Sequence, residues 1–329
     1  MARERVGRVV IDRNGGPEVL SWQLVELPEL GPHDVRVRHT AIGVNFIDVY
    51  FRQGVYPASG FPLPLGREAA GVVEAVGGAV TDLRVGDRVA YGFAPLGAYS
   101  EARVLSADEL VRLPDGVDDT VAAAIMLKGM TAEYLLHRTY PVRPGEVVLV
   151  HAAAGGVGLL LCQWAKHLGA RVIGTVGSEA KAELAARHGC DETILYDREN
   201  VAQRVRELTD EAGARVVYDS VGKDTFEASL SSLGKRGMLV LFGQSSGKVP
   251  PIDLQVLNAR GSLFVTRPSL GHYVGTRPEL LASVNRLFAA LLDGTLKVNI
   301  GRTFPLREAA RAHVELEARR TTGSTVLLP

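Results

Sequence analysis

Two cysteines, Cys162 and Cys190, in 329 residues exclude a disulfide framework. Both lie in helical patterns and read as small buried hydrophobes. No charge of one sign prevails: 37 acidic residues face 37 basic ones, so nothing global draws the chain to nucleic acid or to an anionic membrane. No window has the length and apolarity of a membrane span. The charged start, "MARERVGRVVIDRNGGPEVL", lacks the apolar stretch of a secretory signal, and a cytoplasmic protein is expected. Lysine is scarce, seven of the basic residues, so each lysine near a candidate site carries information. What is present is a hydrophobic content of 46%, which describes a folded chain, and a length that suits two domains better than one core.

Up to about residue 126 the chain alternates short apolar strands with Gly and Pro: "RVGRVVI", "DVRVRHTAIGV", "AAGVVEAVG", "GDRVAYG". That rhythm predicts a compact β-rich unit. From about residue 145 it changes. "EVVLVHA" leads into "GGVGLLLCQWAKHLGA", and further strand–helix pairs follow through "GMLVLFG" to "GSLFVTRP". Apolar strands alternating with helices predict a six-stranded parallel sheet covered on both faces. Leu280, Val284, Leu287, Phe288 and Leu291 then fall at helical spacing, and a final helix and the short strand "STVLLP" close the chain. The expected fold class is α/β. A doubly wound Rossmann domain, 127–267, is inserted into a β-rich catalytic domain made of 1–126 and 268–329.

In "VHAAAGGVGLLL" a strand runs into a helix through a glycine-rich turn. Such a turn needs glycine for a tight bend, for close approach to a pyrophosphate and for helix–strand packing. Gly155 and Gly158 supply the second and third. Ala153 replaces the first and can serve if its φ stays negative. Gly156 and Val157 complete the loop, and the helix N-terminus offers free N–H groups to phosphate. The loop is expected to bind a dinucleotide. An NAD enzyme would place an acid at the tip of the next strand to hold both ribose hydroxyls. Here "RVIGTVG" ends in Gly177 and Ser178, with Lys181 one helical turn on. A hydroxyl and a cation at that tip suit the 2′-phosphate of NADPH; the alternative is that Ser178 only caps the helix and Lys181 is solvated.

These stretches, with "AIGVNFIDVYFRQGVYP", "LGREAAGVVEAVG", "VVYDSVG" and "VTRPSL", resemble the zinc-free branch of the medium-chain dehydrogenase/reductases. Within it the resemblance is to the NADPH:quinone oxidoreductases, the family of zeta-crystallin, and above all to its bacterial members. It covers nearly the whole chain and implies a GroES-like catalytic domain around the Rossmann unit. Zinc-dependent relatives would carry Cys at the position of Asn45, His at that of Arg67 and a lobe of four cysteines after "GDRV". None is present, and no metal is expected.

The resemblance implies reduction of a quinone by direct transfer from NADPH without metal, since a quinone accepts reducing equivalents once two flat rings are placed and the developing charge is solvated. It makes Asn45 the amide beside cofactor and substrate, with Phe46 next to it. Tyr50 would supply a stacking face and a hydroxyl, and Tyr56 a pocket wall. Thr131 would face the nicotinamide end, with Lys128 one turn before it. Tyr196 would lie by the adenine-side phosphate with Lys181, and Ser220 by the adenosine. Phe242, Gly243, Ser245 and Arg267 would line the nicotinamide half, and Arg319 would reach back from the C-terminal segment. Asp48 is read as structural. Two alternatives accompany this reading: reduction of an enal or enone double bond, and a crystallin-like or AU-rich-RNA-binding protein. The balanced charge counts against nucleic acid as the main partner. A homodimer is expected, because "SLFVTRP" would leave a sheet edge open to another chain.

Overall fold

The computed structural model describes residues 5–329. They divide into two compact units. One contains the chain up to Met130 with Thr276–Leu292 and Val298–Pro329; the other contains Thr131–Gly275 with Asp293–Lys297.

The centre of the first unit is the strand Asp34–Val44. It pairs antiparallel with Glu68–Val76, with Ala102–Ser106 and with Ser324–Leu328. Ile300–Pro305 lies parallel beside Ser324–Leu328, and Arg88–Gly92 and Val111–Arg112 continue the sheet beyond Glu68–Val76. A smaller sheet joins Arg5–Ile11 to Leu20–Glu26 and Leu63–Pro64. In the first half of Asp34–Val44, Val35 and Val37 are buried while Arg36 and Arg38 are only partly so. This is the alternation of a sheet with one face on the core. Past Thr40 every residue is buried, and there the polar centre of the unit begins. Gly43 shows how tight it is: an added Cβ would stand 2.2 Å from the Ala123 carbonyl and 2.3 Å from Glu68 Oε2.

The second unit is the expected parallel sheet of six strands. Their spatial order is Glu192–Leu195, Arg171–Val176, Val147–Val150, Ala214–Asp219, Leu233–Leu241, Phe264–Thr266. Ranked by chain position the order is 3-2-1-4-5-6, the doubly wound arrangement. Val148, Leu149 and Val150 in its middle are fully buried, and each such side chain stabilises the fold by about 1.5–3 kcal/mol.

Two details differ from the sequence expectation. Cys162 lies in the helix Gly156–His167, but Cys190 lies beyond the helix Glu179–Arg187. Gly189, with φ +90°, takes the left-handed conformation that ends a helix. Both cysteines are buried and free. In the helix Arg277–Leu292, Leu280, Val284, Leu287 and Phe288 are buried, whereas Leu291 is only partly covered and Ala290 is buried in its stead. No described helix is long and apolar enough to cross a membrane.

Candidate active site

In the first unit the strand Asp34–Val44 ends at Asn45, whose extended backbone starts the helix Phe46–Arg52. Asp48, three residues on, reaches back to accept the Asn45 N–H at 2.9 Å. That bond satisfies one of the donors a helix start leaves free. The Asn45 side chain donates from Nδ2 to Glu68 Oε2 at 2.7 Å. Glu68, fully buried, also accepts the Leu127 N–H at 2.7 Å and the Lys128 ammonium at 3.1 Å. Asn45, Glu68 and Lys128 are thus one buried cluster, and the carboxylate fixes the direction of the Asn45 amide.

Asp48 leads into a second chain of contacts. Its Oδ2 accepts from the Tyr99 hydroxyl at 3.0 Å. Tyr99 Oη lies 3.0 Å from His313 Nε2, and Arg52 Nη1 lies 3.1 Å from His313 Nδ1. Arginine can only donate, so His313 accepts at Nδ1 and carries its proton at Nε2. Burial, with Arg52 beside it, holds the ring neutral with a pKa of about 3. Arg52 closes the chain on Glu317 at 2.8 Å. Asp48 Oδ1 has no partner among the described residues, and burial pushes this carboxyl up to about 7. The contacts make Asp48 a helix-start residue.

The same short helix carries Phe46, Tyr50 and Phe51, and Tyr56 follows it. Tyr50 is 5.4 Å from Tyr56, edge to face, and 6.1 Å from Phe46. Phe51 meets Tyr56 at 5.5 Å. Tyr50 is mostly buried, Phe46 and Tyr56 half-buried. Arg319 stands apart from this group in the sequence, exposed after the helix Ala309–Glu317.

In the second unit the predicted cofactor residues gather at the carboxyl ends of the parallel strands, where ligands of open α/β sheets bind. Val147–Val150 is followed by the loop to Gly158, Arg171–Val176 by Gly177 and Ser178, and Glu192–Leu195 by Tyr196. Ala214–Asp219 is followed by Ser220, Leu233–Leu241 by Phe242, Gly243 and Ser245, and Phe264–Thr266 by Arg267. In the loop the left-handed residue is Ala152, φ +53°, and not Ala153. Ala153 is therefore tolerated at the first glycine position. Gly158 is required, because an added Cβ would stand 2.2 Å from the Ala152 carbonyl. Ser178 caps the helix Glu179–Arg187 by accepting the Lys181 N–H. An added Cβ on Gly177 would lie 2.5 Å from the Tyr196 hydroxyl, so the glycine lets that ring come over the strand tip. Glu179, the nearest acid, pairs with Arg198 at 3.1 Å. Ser245 N–H donates to Ser220 O, and Arg267 Nη1 to Leu241 O. Thr131 is buried on the helix Asp119–Tyr134.

Sequence reasoning missed the buried supports. His151 touches Thr175 Oγ1 and Ser229 Oγ, both at 3.0 Å, and Ser229 donates to Asp219 at 2.7 Å. Asp219 also accepts the Val221 and Gly222 N–H groups, which locks the strand end before Ser220. Glu68 was legible only as an acid inside an apolar run. No cluster of three or more metal-ligating side chains occurs among the described residues.

Two family models match: the alcohol dehydrogenase GroES-like domain over residues 31–115 and the zinc-binding dehydrogenase over residues 156–289. A quinone oxidoreductase of Pseudomonas aeruginosa is 58% identical over 98% of this chain and 99% of its own. A 2-haloacrylate reductase of a Burkholderia species is 50% identical over 97% and 98%. The crystal structure of Escherichia coli quinone oxidoreductase complexed with NADPH superposes with a TM-score of 0.96 at 47% identity, covering 98% of this chain and 100% of that one.

Proposed function

The chain belongs to the quinone oxidoreductase family of the medium-chain dehydrogenase/reductases, and from that membership we propose that it is an NADPH-dependent quinone oxidoreductase. The observation that carries the reading is the position of the 155–158 loop, Gly177, Ser178, Tyr196, Ser220, Phe242, Gly243, Ser245 and Arg267 after the carboxyl ends of one doubly wound sheet, in a chain matching quinone oxidoreductases over 98% of its length.

The residues present fit this cofactor. The turn at Ala152 and the close approach at Gly158 bring the start of the helix Gly156–His167 against the strand tip. Its free N–H groups and positive dipole end suit a pyrophosphate. Ser178, Lys181 and Tyr196 would hold a 2′-phosphate, and Glu179 is engaged by Arg198 rather than standing where it would repel one. Ser220, Phe242, Gly243, Ser245, Arg267 and Thr131 would hold the remainder. When bound, NADPH supplies the reducing hydride. Tyr50, with Tyr56 and Phe46, offers flat faces to a quinone ring, and its hydroxyl can stabilise the oxygen on which charge develops. Glu68 holds the Asn45 amide in one direction, so that no side-chain reorganisation is needed as charge forms. We assign catalysis to the first unit and cofactor binding to the second. The protein acts in the cytoplasm as a homodimer, with the edge strand Phe264–Thr266, whose Phe264 is exposed, available to a second copy.

The test is a spectrophotometric screen of NADPH and NADH oxidation against quinones and enals, with and without a chelator. Turnover of quinones with NADPH, insensitive to chelation, is expected. Turnover that requires zinc would overturn the mechanism. A second reading, reduction of an activated carbon–carbon double bond, is favoured by the 50% identity to the 2-haloacrylate reductase; enal turnover exceeding that of every quinone would establish it.

A further inference from the structure

Arg67 sits between Gly66 and the buried Glu68, at the start of the strand that carries the polar centre of the first unit. Two of its donors are committed to backbone: Nε to the Ala94 carbonyl at 2.9 Å and Nη2 to the Phe93 carbonyl at 3.3 Å. Its guanidinium lies 4.0 Å from the centre of the Phe93 ring and 5.8 Å from that of Phe51. Phe51 in turn meets Tyr56, and Tyr56 meets Tyr50. The cation therefore rims the aromatic group that offers its faces to a substrate ring.

What the guanidinium lacks is a counter-ion. Among the described residues no carboxylate lies within 4.0 Å of Arg67, although the chain is rich in arginine–carboxylate pairs elsewhere. Nη1 meets no acceptor there either. The side chain is half-buried, and burial lowers its pKa. The acids that act on it from a distance, Asp48 and Glu109, are both pushed by burial toward their neutral forms. Phe93, whose carbonyl and ring hold the guanidinium, has a left-handed backbone with φ +71°. A bulky residue adopts that conformation only under constraint, and such constraint concentrates at functional sites. A half-desolvated arginine, held in place by carbonyls and rings and left without a carboxylate, is a receptor for an anion.

We propose that Arg67 is a specificity-determining residue that binds an anionic substituent, a carboxylate or sulfonate, carried on the ring of the quinone. This rests on the quinone reading above. The bidentate geometry of guanidinium with such oxyanions needs a free edge, which Nη1 and the second Nη2 hydrogen provide once Nε and the first are committed to backbone, while the edge-to-face rings leave an apolar surface for the body of the substrate.

The test compares 1,2-naphthoquinone with 1,2-naphthoquinone-4-sulfonate, which share a ring system and differ in fixed charge, at saturating NADPH. Arg67→Gln should raise KM for the sulfonated quinone by about ten- to hundredfold and leave that for the neutral one within about threefold. Arg67→Lys, which keeps the charge but loses the planar fork, should retain only part of the discrimination, between that of the wild type and that of Arg67→Gln. In the wild type, added salt should raise KM for the sulfonate alone. Without NADPH, calorimetry should find 2-naphthoate binding the wild type more tightly than the neutral 2-naphthamide, with the difference gone in Arg67→Gln. Equal losses for both quinones would show that Arg67 only braces the 93–94 segment and would overturn the proposal, as would equal binding of naphthoate and naphthamide. A change confined to KM for NADPH would assign Arg67 to the cofactor and overturn it too. If the wild type turns over neither quinone, the quinone reading fails, and the naphthoate comparison still decides whether Arg67 binds an anion.

Discussion

Replacing Glu68 by glutamine tests the polar centre of the first unit. The carboxylate is fully buried and accepts three hydrogen bonds, from Asn45 Nδ2, Leu127 N and Lys128 Nζ. Glutamine keeps the shape but only one acceptor oxygen. Its amide nitrogen must then face a donor, either the Leu127 N–H or the Asn45 and Lys128 groups. The Lys128 ammonium, 5% exposed, loses its carboxylate as well. Removing one partner of a buried pair costs about 3–5 kcal/mol, most of it the penalty of the stranded charge. Glu68→Gln should therefore destabilise the first unit by about that amount. Adding Lys128→Met removes the stranded charge, and the double variant should recover at least about 2 kcal/mol relative to the sum of the singles. The measurement is denaturant unfolding followed by fluorescence. Trp22 belongs to the first unit and Trp164 to the second, so a Trp164→Phe background reports the first unit alone and avoids treating two units as one transition. A loss below about 1 kcal/mol in the glutamine variant, or strict additivity in the double, would refute the reasoning.

Three further outcomes are expected. Lys181→Ala should weaken NADPH binding by about 1.5–3 kcal/mol, the loss of one charge-assisted contact, and leave NADH unaffected; equal wild-type affinity for the two cofactors, measured by fluorescence titration, would remove the assignment of the 2′-phosphate site. Tyr50→Phe should lower quinone turnover by roughly tenfold or less, below the 10²–10⁴ of an essential acid, while Tyr50→Ala should also raise KM; a thousandfold loss in the phenylalanine variant would make the hydroxyl the obligatory proton donor. The third outcome concerns Asp48, whose carboxyl is near 7 when folded and near 3.8 when not. The folded state holds that proton more tightly, so its contribution to stability is full below about pH 4 and is lost as pH rises toward 7, over a span of about 4 kcal/mol. Asp48→Asn should show a flatter fall in unfolding free energy than the wild type across that window, and parallel curves would contradict it.

The parallel sheet was legible because strands buried on both faces are written as continuous apolar runs, and "EVVLVHA" and "GMLVLFG" can be little else. The loop at 151–158 was legible through its glycines, although the left-handed position proved to be Ala152 rather than the residue that replaces glycine. Asn45 and Lys128 could be named, but not joined. Their bridge is Glu68, and nothing local in "GREAAG" tells that its carboxylate turns inward; that is decided by the pairing of Ile42 with Ala69 across two strands. His313 and Arg52 escaped for the same reason, being 261 positions apart in the chain. Composition and periodicity describe an element's own face, whereas buried polar networks depend on which distant element arrives opposite.

The strand Ser324–Leu328 lies between Ile300–Pro305 and Asp34–Val44, and this sets an order of events during synthesis. Every strand and helix of the second unit has left the ribosome before Ser324 is added. At about 5–20 residues per second, roughly 15–60 seconds pass between translation of Asp34–Val44 and arrival of the strand that covers its edge. By the end of that interval every strand of the second unit has been made while the first unit is still unfinished, and its open edge can pair with other chains. The vulnerable stage in the life of this protein is thus its birth, and the yield of active enzyme should respond to chaperone supply and to slower growth temperature more than the stability of the finished fold would suggest.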